Sequence, residues 1–139
     1  MNETPPLQRI DHVGIAVRKI DAALARWAPW LPRPASPPEE IPSQKVRVAF
    51  LRVGESRIEL LEPTQPESPV GRFLEQRGEG LHHLAFAVPQ VDAALAAVAR
   101  QGGRLVDTQG RPGAGGHRVG FAHPTAFGGV LVEYVEASL

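Results

Sequence analysis

The strongest constraint on this 139-residue chain is that it contains an internal repeat. Placing His12 on His83, an offset of 71, lays residues 10–27 (IDHVGIAVRKIDAALARW) over 81–98 (LHHLAFAVPQVDAALAAV), with eight of eighteen positions identical. The same offset sets Arg47, Val48, Ala49 and Phe50 over Arg118, Val119, Gly120 and Phe121. From Phe50 to Glu59 is nine residues and from Phe121 to Glu133 is twelve, so the second copy carries a three-residue insertion, expected in the turn around 124–129. A repeat of this length is one supersecondary unit used twice, and each copy places a His early and a Glu late.

Both copies show the same succession of patterns. Residues 8–17 alternate as a strand, with Val13, Ile15 and Val17 on one face and His12, Gly14 and Ala16 on the other. Residues 81–88 repeat this, with Leu84, Phe86 and Val88 opposite His83, Ala85 and Ala87. Each His thus shares its face with small side chains, which leaves space above the strand. Asp21 and Asp92 are the expected N-caps of helices reaching about Trp27 and Arg100, the second stopped by Gly102 and Gly103. Ser68, Pro69 and Gly78 bracket a helix over 69–77. Strands are expected at 45–53 and 56–62 around Gly54 and Glu55, and at 104–107, 117–122 and 129–135. The proline-rich run 27–42 reads as a loop, as does the glycine-rich run 111–118.

The expected fold is therefore α+β: a strand, a helix and further strands used twice, as two halves related by a pseudo-twofold axis. The chain reads as one domain over 1–139, with module one at about 8–63, a linking helix at about 69–77 and module two at about 81–136.

Composition narrows the chemistry. Fifteen basic residues balance fifteen acidic ones, so no net field draws in nucleic acid or an anionic membrane. Without cysteine there is no thiolate nucleophile and no Cys-ligated zinc, so a metal must be held by His and carboxylate. No leader-like segment opens the sequence and no apolar run approaches ~18 residues, so a cytoplasmic protein is expected.

A single strand His is usually a hydrogen-bonded structural residue, and a single strand Glu usually faces solvent. Recurrence at matched positions changes the reading of His12, Glu59, His83 and Glu133. Two neutral imidazoles and two carboxylates match a divalent ion in charge and leave positions open for substrate. Glu133 also sits in the apolar run VLVEYV, where a lone buried carboxylate is costly unless paired or metal-bound. His82 falls on the face opposite His83 and reads as structural, whereas His117 and His123, in or near the glycine loop, are candidates for touching substrate. Glycines 113–116 lack the spacing of a phosphate-binding loop. Ser43, Ser56, Ser68 and Ser138 lack a nucleophile-elbow context.

Taken together, IDHVGIAV, SQKVRVAFLRVGESRIELLEP, SPVGRFLEQRGEGLHHLAFAV, RPGAGGHRVGFAHP and GGVLVEYVE resemble the methylmalonyl-CoA epimerase family of the vicinal-oxygen-chelate, or glyoxalase-like, superfamily. The resemblance spans about residues 10–136. It implies two paired βαβββ modules forming a curved sheet around a metal cleft, and a homodimer acting on a CoA thioester with a divalent metal, cobalt first and manganese, nickel or zinc as alternatives. By position the ligands are His12, Glu59, His83 and Glu133, with Glu133 and Glu59 as acid/base candidates. Some epimerases have Gln at the Glu59 position, whereas glyoxalase-type sites have Glu. Two departures stand out. Val48 occupies the position of a proposed second base in some relatives, which leaves Glu59 or a water on the ion for that role. Thr125, Ala126 and Phe127 stand where many relatives carry a lysine–serine pair, so a contact to a CoA phosphate is affected. Lactoylglutathione lyase-type isomerisation and non-catalytic small-molecule binding are the alternative functions of the same architecture.

Overall fold

The computed structural model describes residues 6–31, 34 and 37–136. The elements run β1 (Arg9–Ala16), α1 (Ile20–Trp27), β2 (Glu39–Ile41), β3 (Val46–Val53), β4 (Ser56–Pro63), α2 (Pro69–Arg77), β5 (Gly80–Val88), α3 (Val91–Arg100), β6 (Arg111–Pro112), β7 (Arg118–Ala122) and β8 (Val132–Glu136). Two compact units form: His12–His82, and a second that joins the residues before His12 to those from His83 onwards. No helix among the described residues is long and apolar enough to cross a membrane.

In the first unit the strands lie in the order β2-β3-β4-β1, with β1 parallel to β4 and the other neighbours antiparallel. In the second unit the order is β5-β8-β7-β6, with β5 parallel to β8 and the other neighbours antiparallel. Each is a βαβββ module, and the two topologies are identical, as the repeat requires. The parallel pair in each follows from the helix that carries the chain over between strands.

Both modules pack the helix on the same side of the sheet with equivalent residues. Val17, Ile20, Ala23, Ala49, Leu51 and Leu60 form the first core. Val88, Val91, Ala94, Leu95, Ala122, Val132 and Tyr134 form the second. Full burial of a Leu or Ile contributes roughly 1.5–3 kcal/mol, so these clusters hold each helix to its sheet. Gly120, opposite Ala49 in the repeat, allows α3 to come close: a Cβ there would stand 2.7 Å from Leu95 Cδ1. Burial among these groups pushes the Tyr134 phenol pKa up.

The helix over 69–77 forms as expected, with the Ser68 hydroxyl accepting from Gly71 N at 3.1 Å, Pro69 at its first position and Gly78 at φ +76° behind it. The expected caps of the other two helices are corrected. Lys19 and Gln90 occupy the N-cap positions without side-chain bonds, and Asp21 and Asp92 lie inside the first turn. The free amides are met from elsewhere: Ile20 N donates to Glu62 Oε1 at 2.8 Å and Val91 N to Glu136 Oε1 at 3.1 Å. A carboxylate beside a helix N-terminus satisfies an unpaired donor and opposes the positive end of the helix dipole.

The outer strands also differ from expectation. Residues 39–41, in the run read as loop, form β2, and residues 111–112, in the glycine-rich run, form β6. Edge strands tolerate the Glu and Pro residues that argue against a central strand. The strand expected at 104–107 reduces to a single bridge between Leu105 and Ala122. There Val106 N and Asp107 N share the Phe121 carbonyl, and Asp107 Oδ2 accepts from Phe121 N, so the segment turns across β7 instead of pairing along it. Strand β8 begins at Val132, after the short 3-10 turn Pro124–Phe127 that fills the expected insertion. Of the proline-rich run, residues 32, 33, 35 and 36 lie outside the described residues.

Candidate functional site

Register places the polar repeats. In the first module Gly14 pairs with Glu59 across β1 and β4, and Phe50 pairs with Glu59 across β3 and β4. In the second, Ala85 pairs with Glu133 and Phe121 pairs with Glu133. Paired residues share a sheet face, so each Glu stands beside a small residue on one side and a phenyl ring on the other. The imidazole two residues before that small residue reaches the carboxylate diagonally.

The resulting pairs are alike in detail. His12 Nε2 lies 3.2 Å from Glu59 Oε1, and His83 Nε2 lies 2.9 Å from Glu133 Oε1. All four residues are buried, at 3, 6, 6 and 4% exposure for His12, Glu59, His83 and Glu133. The His12 ring meets Phe50 edge-on with centroids 5.7 Å apart, and the His83 ring meets Phe121 edge-on at 5.6 Å. Each phenyl carries a guanidinium on its face: Arg57 lies 3.9 Å from the Phe50 centroid and Arg111 lies 5.6 Å from that of Phe121. The rings fence one side of each imidazole and limit its rotation.

Burying an ionised carboxylate is costly unless it is compensated. In each module an imidazole nitrogen and a carboxylate oxygen are removed from water together. That donor chemistry fits a divalent cation: the two carboxylates neutralise its charge, and borderline nitrogen donors suit first-row transition ions. His12, Glu59, His83 and Glu133 are the candidate metal ligands among the described residues, each offering one nitrogen or oxygen donor.

The other residues singled out by sequence fall elsewhere. His82 packs edge-on against Phe73, with centroids 5.0 Å apart, in keeping with a structural role. His123 Nδ1 caps a 3-10 turn by accepting from Thr125 N at 3.1 Å, and it lies 2.8 Å from Thr125 Oγ1. His117 ends the turn over Ala114–Gly116. Val48 is buried between its cross-strand neighbours Leu61 and Glu39. Ser68 is a helix cap, and Ser138 lies outside the described residues.

Sequence reading missed a second repeated carboxylate pair, Glu62 and Glu136, although the signal is present. Glu62 follows Glu59 and Glu136 follows Glu133 by three residues, in ELLE and EYVE. An odd separation on a strand reverses the face, so Glu59 and Glu133 point away from the helix while Glu62 and Glu136 reach its N-terminus. A further anchor is Asp92, which accepts from Gly110 N at 2.7 Å and from Arg118 Nη2 at 2.9–3.0 Å. The Gly110 amide first, and then Arg118, hold its carboxyl below the usual range.

Residues 11–121 match the model of the Glyoxalase/Bleomycin resistance protein/Dioxygenase superfamily. An ethylmalonyl-CoA/methylmalonyl-CoA epimerase of Cereibacter sphaeroides is 37% identical over 128 residues, 90% of this chain and 95% of the relative. Among solved structures, a Streptomyces coelicolor methylmalonyl-CoA epimerase in complex with 2-nitronate-propionyl-CoA superposes with a TM-score of 0.89 at 38% identity, covering 95% of this chain and 96% of its own. A methylmalonyl-CoA epimerase in complex with methylmalonyl-CoA and ammonium gives the same TM-score, identity and coverage.

Proposed function

The chain belongs to the Glyoxalase/Bleomycin resistance protein/Dioxygenase superfamily, and from that premise we propose that it is an epimerase interconverting the (2R) and (2S) forms of methylmalonyl-CoA with a divalent metal. The observation that carries the reading is the twice-built, buried His–Glu pair, His12 with Glu59 and His83 with Glu133. It occurs in a chain whose near-full-length relatives include enzymes named for this reaction.

The four residues are proposed to hold one ion, cobalt first, with manganese, nickel or zinc as alternatives. When bound, the ion supplies Lewis-acid stabilisation of the charge that builds on the thioester oxygen as C2 loses its proton. The chain's own groups do the rest. Glu133, buried and steadied by His83, takes up or returns the C2 proton on one face. Phe50 and Phe121 keep the two imidazoles oriented. Glu59, the counterpart of Glu133 in the repeat, stands beside His12 as a proposed ligand.

The proposal includes a cytoplasmic homodimer.

The test is incubation of the metal-loaded protein with (2S)-methylmalonyl-CoA in deuterated water. Deuterium entering C2 together with loss of optical purity is the expected result. Turnover confined to the methylglyoxal–glutathione adduct would overturn the assignment in favour of a lactoylglutathione lyase. Tight ligand capture without turnover, unaffected by chelator, would make the chain a binding module.

A further inference from the structure

Inverting a carbon acid requires a proton to leave from one face and arrive on the other, so two groups are most simply involved. The register of the first module shows which side chains share the face of Glu59. From β4 they are Arg57, Glu59 and Leu61; from β1, His12, Gly14 and Ala16; from β3, Val46, Val48, Phe50 and Arg52. Strand β2 adds Glu39, paired with Val48, and Ile41, paired with Val46. Among the described strands of this module, Glu39 is therefore the one carboxylate besides Glu59 on that face. Strand β3 itself offers only the apolar, buried Val48 at the intervening position.

The spacing suits a substrate between them. Glu39 lies across Val48 from Leu61, two residues from Glu59 on β4. Two strand spacings of about 4.8 Å and one two-residue step of about 6.8 Å put the two Cα atoms roughly 12 Å apart. Val48 and Phe50 lie on the same face along that span, and a Glu side chain is long enough to cover several ångströms of it from either end. The environments differ as two roles demand. Glu59 is buried against His12, whereas Glu39 is exposed on an edge strand, open to solvent.

We infer that Glu39 is the second acid/base of the epimerase, acting on the C2 face opposite to that served by Glu133 while Glu59 remains a ligand. The inference rests on the epimerase reading. In one direction the C2–H bond breaks, its proton passes to Glu133, and its electron pair enters the thioester to give the enolate. Glu39 then donates a proton to C2 from the other side, and solvent resets both carboxyls. The reverse direction exchanges the two roles.

Deuterium uptake at C2 is measured separately for each epimer in deuterated water, with metal content determined in parallel. Wild type exchanges both. Glu39→Gln is expected to keep its metal, to lose inversion by at least about 10², and to exchange only the epimer whose proton Glu133 removes; Glu133→Gln exchanges only the other. If Glu39→Gln inverts like wild type, or slows exchange of both epimers equally, Glu39 is not the second base although the enzyme is an epimerase. If wild type exchanges neither epimer, the epimerase reading falls and this inference with it.

Discussion

At the scale of single residues, the site is built by parity. A strand reverses the direction of successive side chains, so Gly14 and Ala85 share a face with His12 and His83 and leave room above Glu59 and Glu133. His83→Ala and Glu133→Gln are each expected to lower kcat by at least about 10², the lower end for losing acid–base assistance; steady-state rates with either epimer check this. The same parity gives the outer carboxylates a different task. Glu62→Gln leaves the Ile20 amide with a weaker acceptor and is expected to cost about 1 kcal/mol, as loss of a helix cap does. That is a melting temperature lower by roughly 3–4 °C with turnover retained. His12, Glu59, His83 and Glu133 were legible because their recurrence at matched positions overrides what any one of them signals alone. Glu62 and Glu136 recur just as regularly, but their partner is a backbone amide far along the chain, which no local pattern marks.

At the scale of elements, helices were read more closely than edges. Asp21 and Asp92 mark the starts of α1 and α3 to within two residues although they sit in the first turn and not at the cap, and Ser68 and Gly78 bracket α2, because these determinants lie within a few residues. Strands β2 and β6 were missed because an edge strand is defined by its neighbour, and Glu39–Ile41 has no apolar alternation of its own. Packing tolerances follow from the same contacts. Gly120→Val is expected to force α3 off β7, since Leu95 and Val91 side chains occupy the space, and to destabilise by roughly 1–3 kcal/mol in denaturant titration. The tie from α3 to the segment beyond it depends on pH. Asp92 has its pKa lowered by the Gly110 amide and Arg118, so its contribution is present above the unfolded carboxylate value and is lost as pH falls through the lower folded value. The protection factor of the Gly110 amide against hydrogen exchange is expected to fall on that descent, and Asp92→Asn to show the lower protection already at neutral pH.

At the scale of the whole molecule, the repeat makes a prediction that neither module makes alone. If one divalent ion takes ligands from both His–Glu pairs, cobalt should stabilise the apo-protein by about 2.7 kcal/mol at a hundredfold excess over Kd, read as a higher melting temperature. His12→Ala and His83→Ala should each remove most of that shift. A shift about halved by either substitution would mean that the modules bind metal independently, and one undiminished by both that the imidazoles do not bind it. The amino-acid order alone carries the duplication, the strand–helix–strand succession in each half, the alternation that sets each His and Glu on its face, and the cap of α2. These rest on periodicity and on contacts a few residues apart. Only the tertiary structure decided which carboxylate meets which helix, where the sheet edges run, and that Glu39 lies beside Val48 on the face of Glu59. Those contacts join distant parts of the chain, and their partners are chosen by strand register, which becomes visible only when the strands are paired.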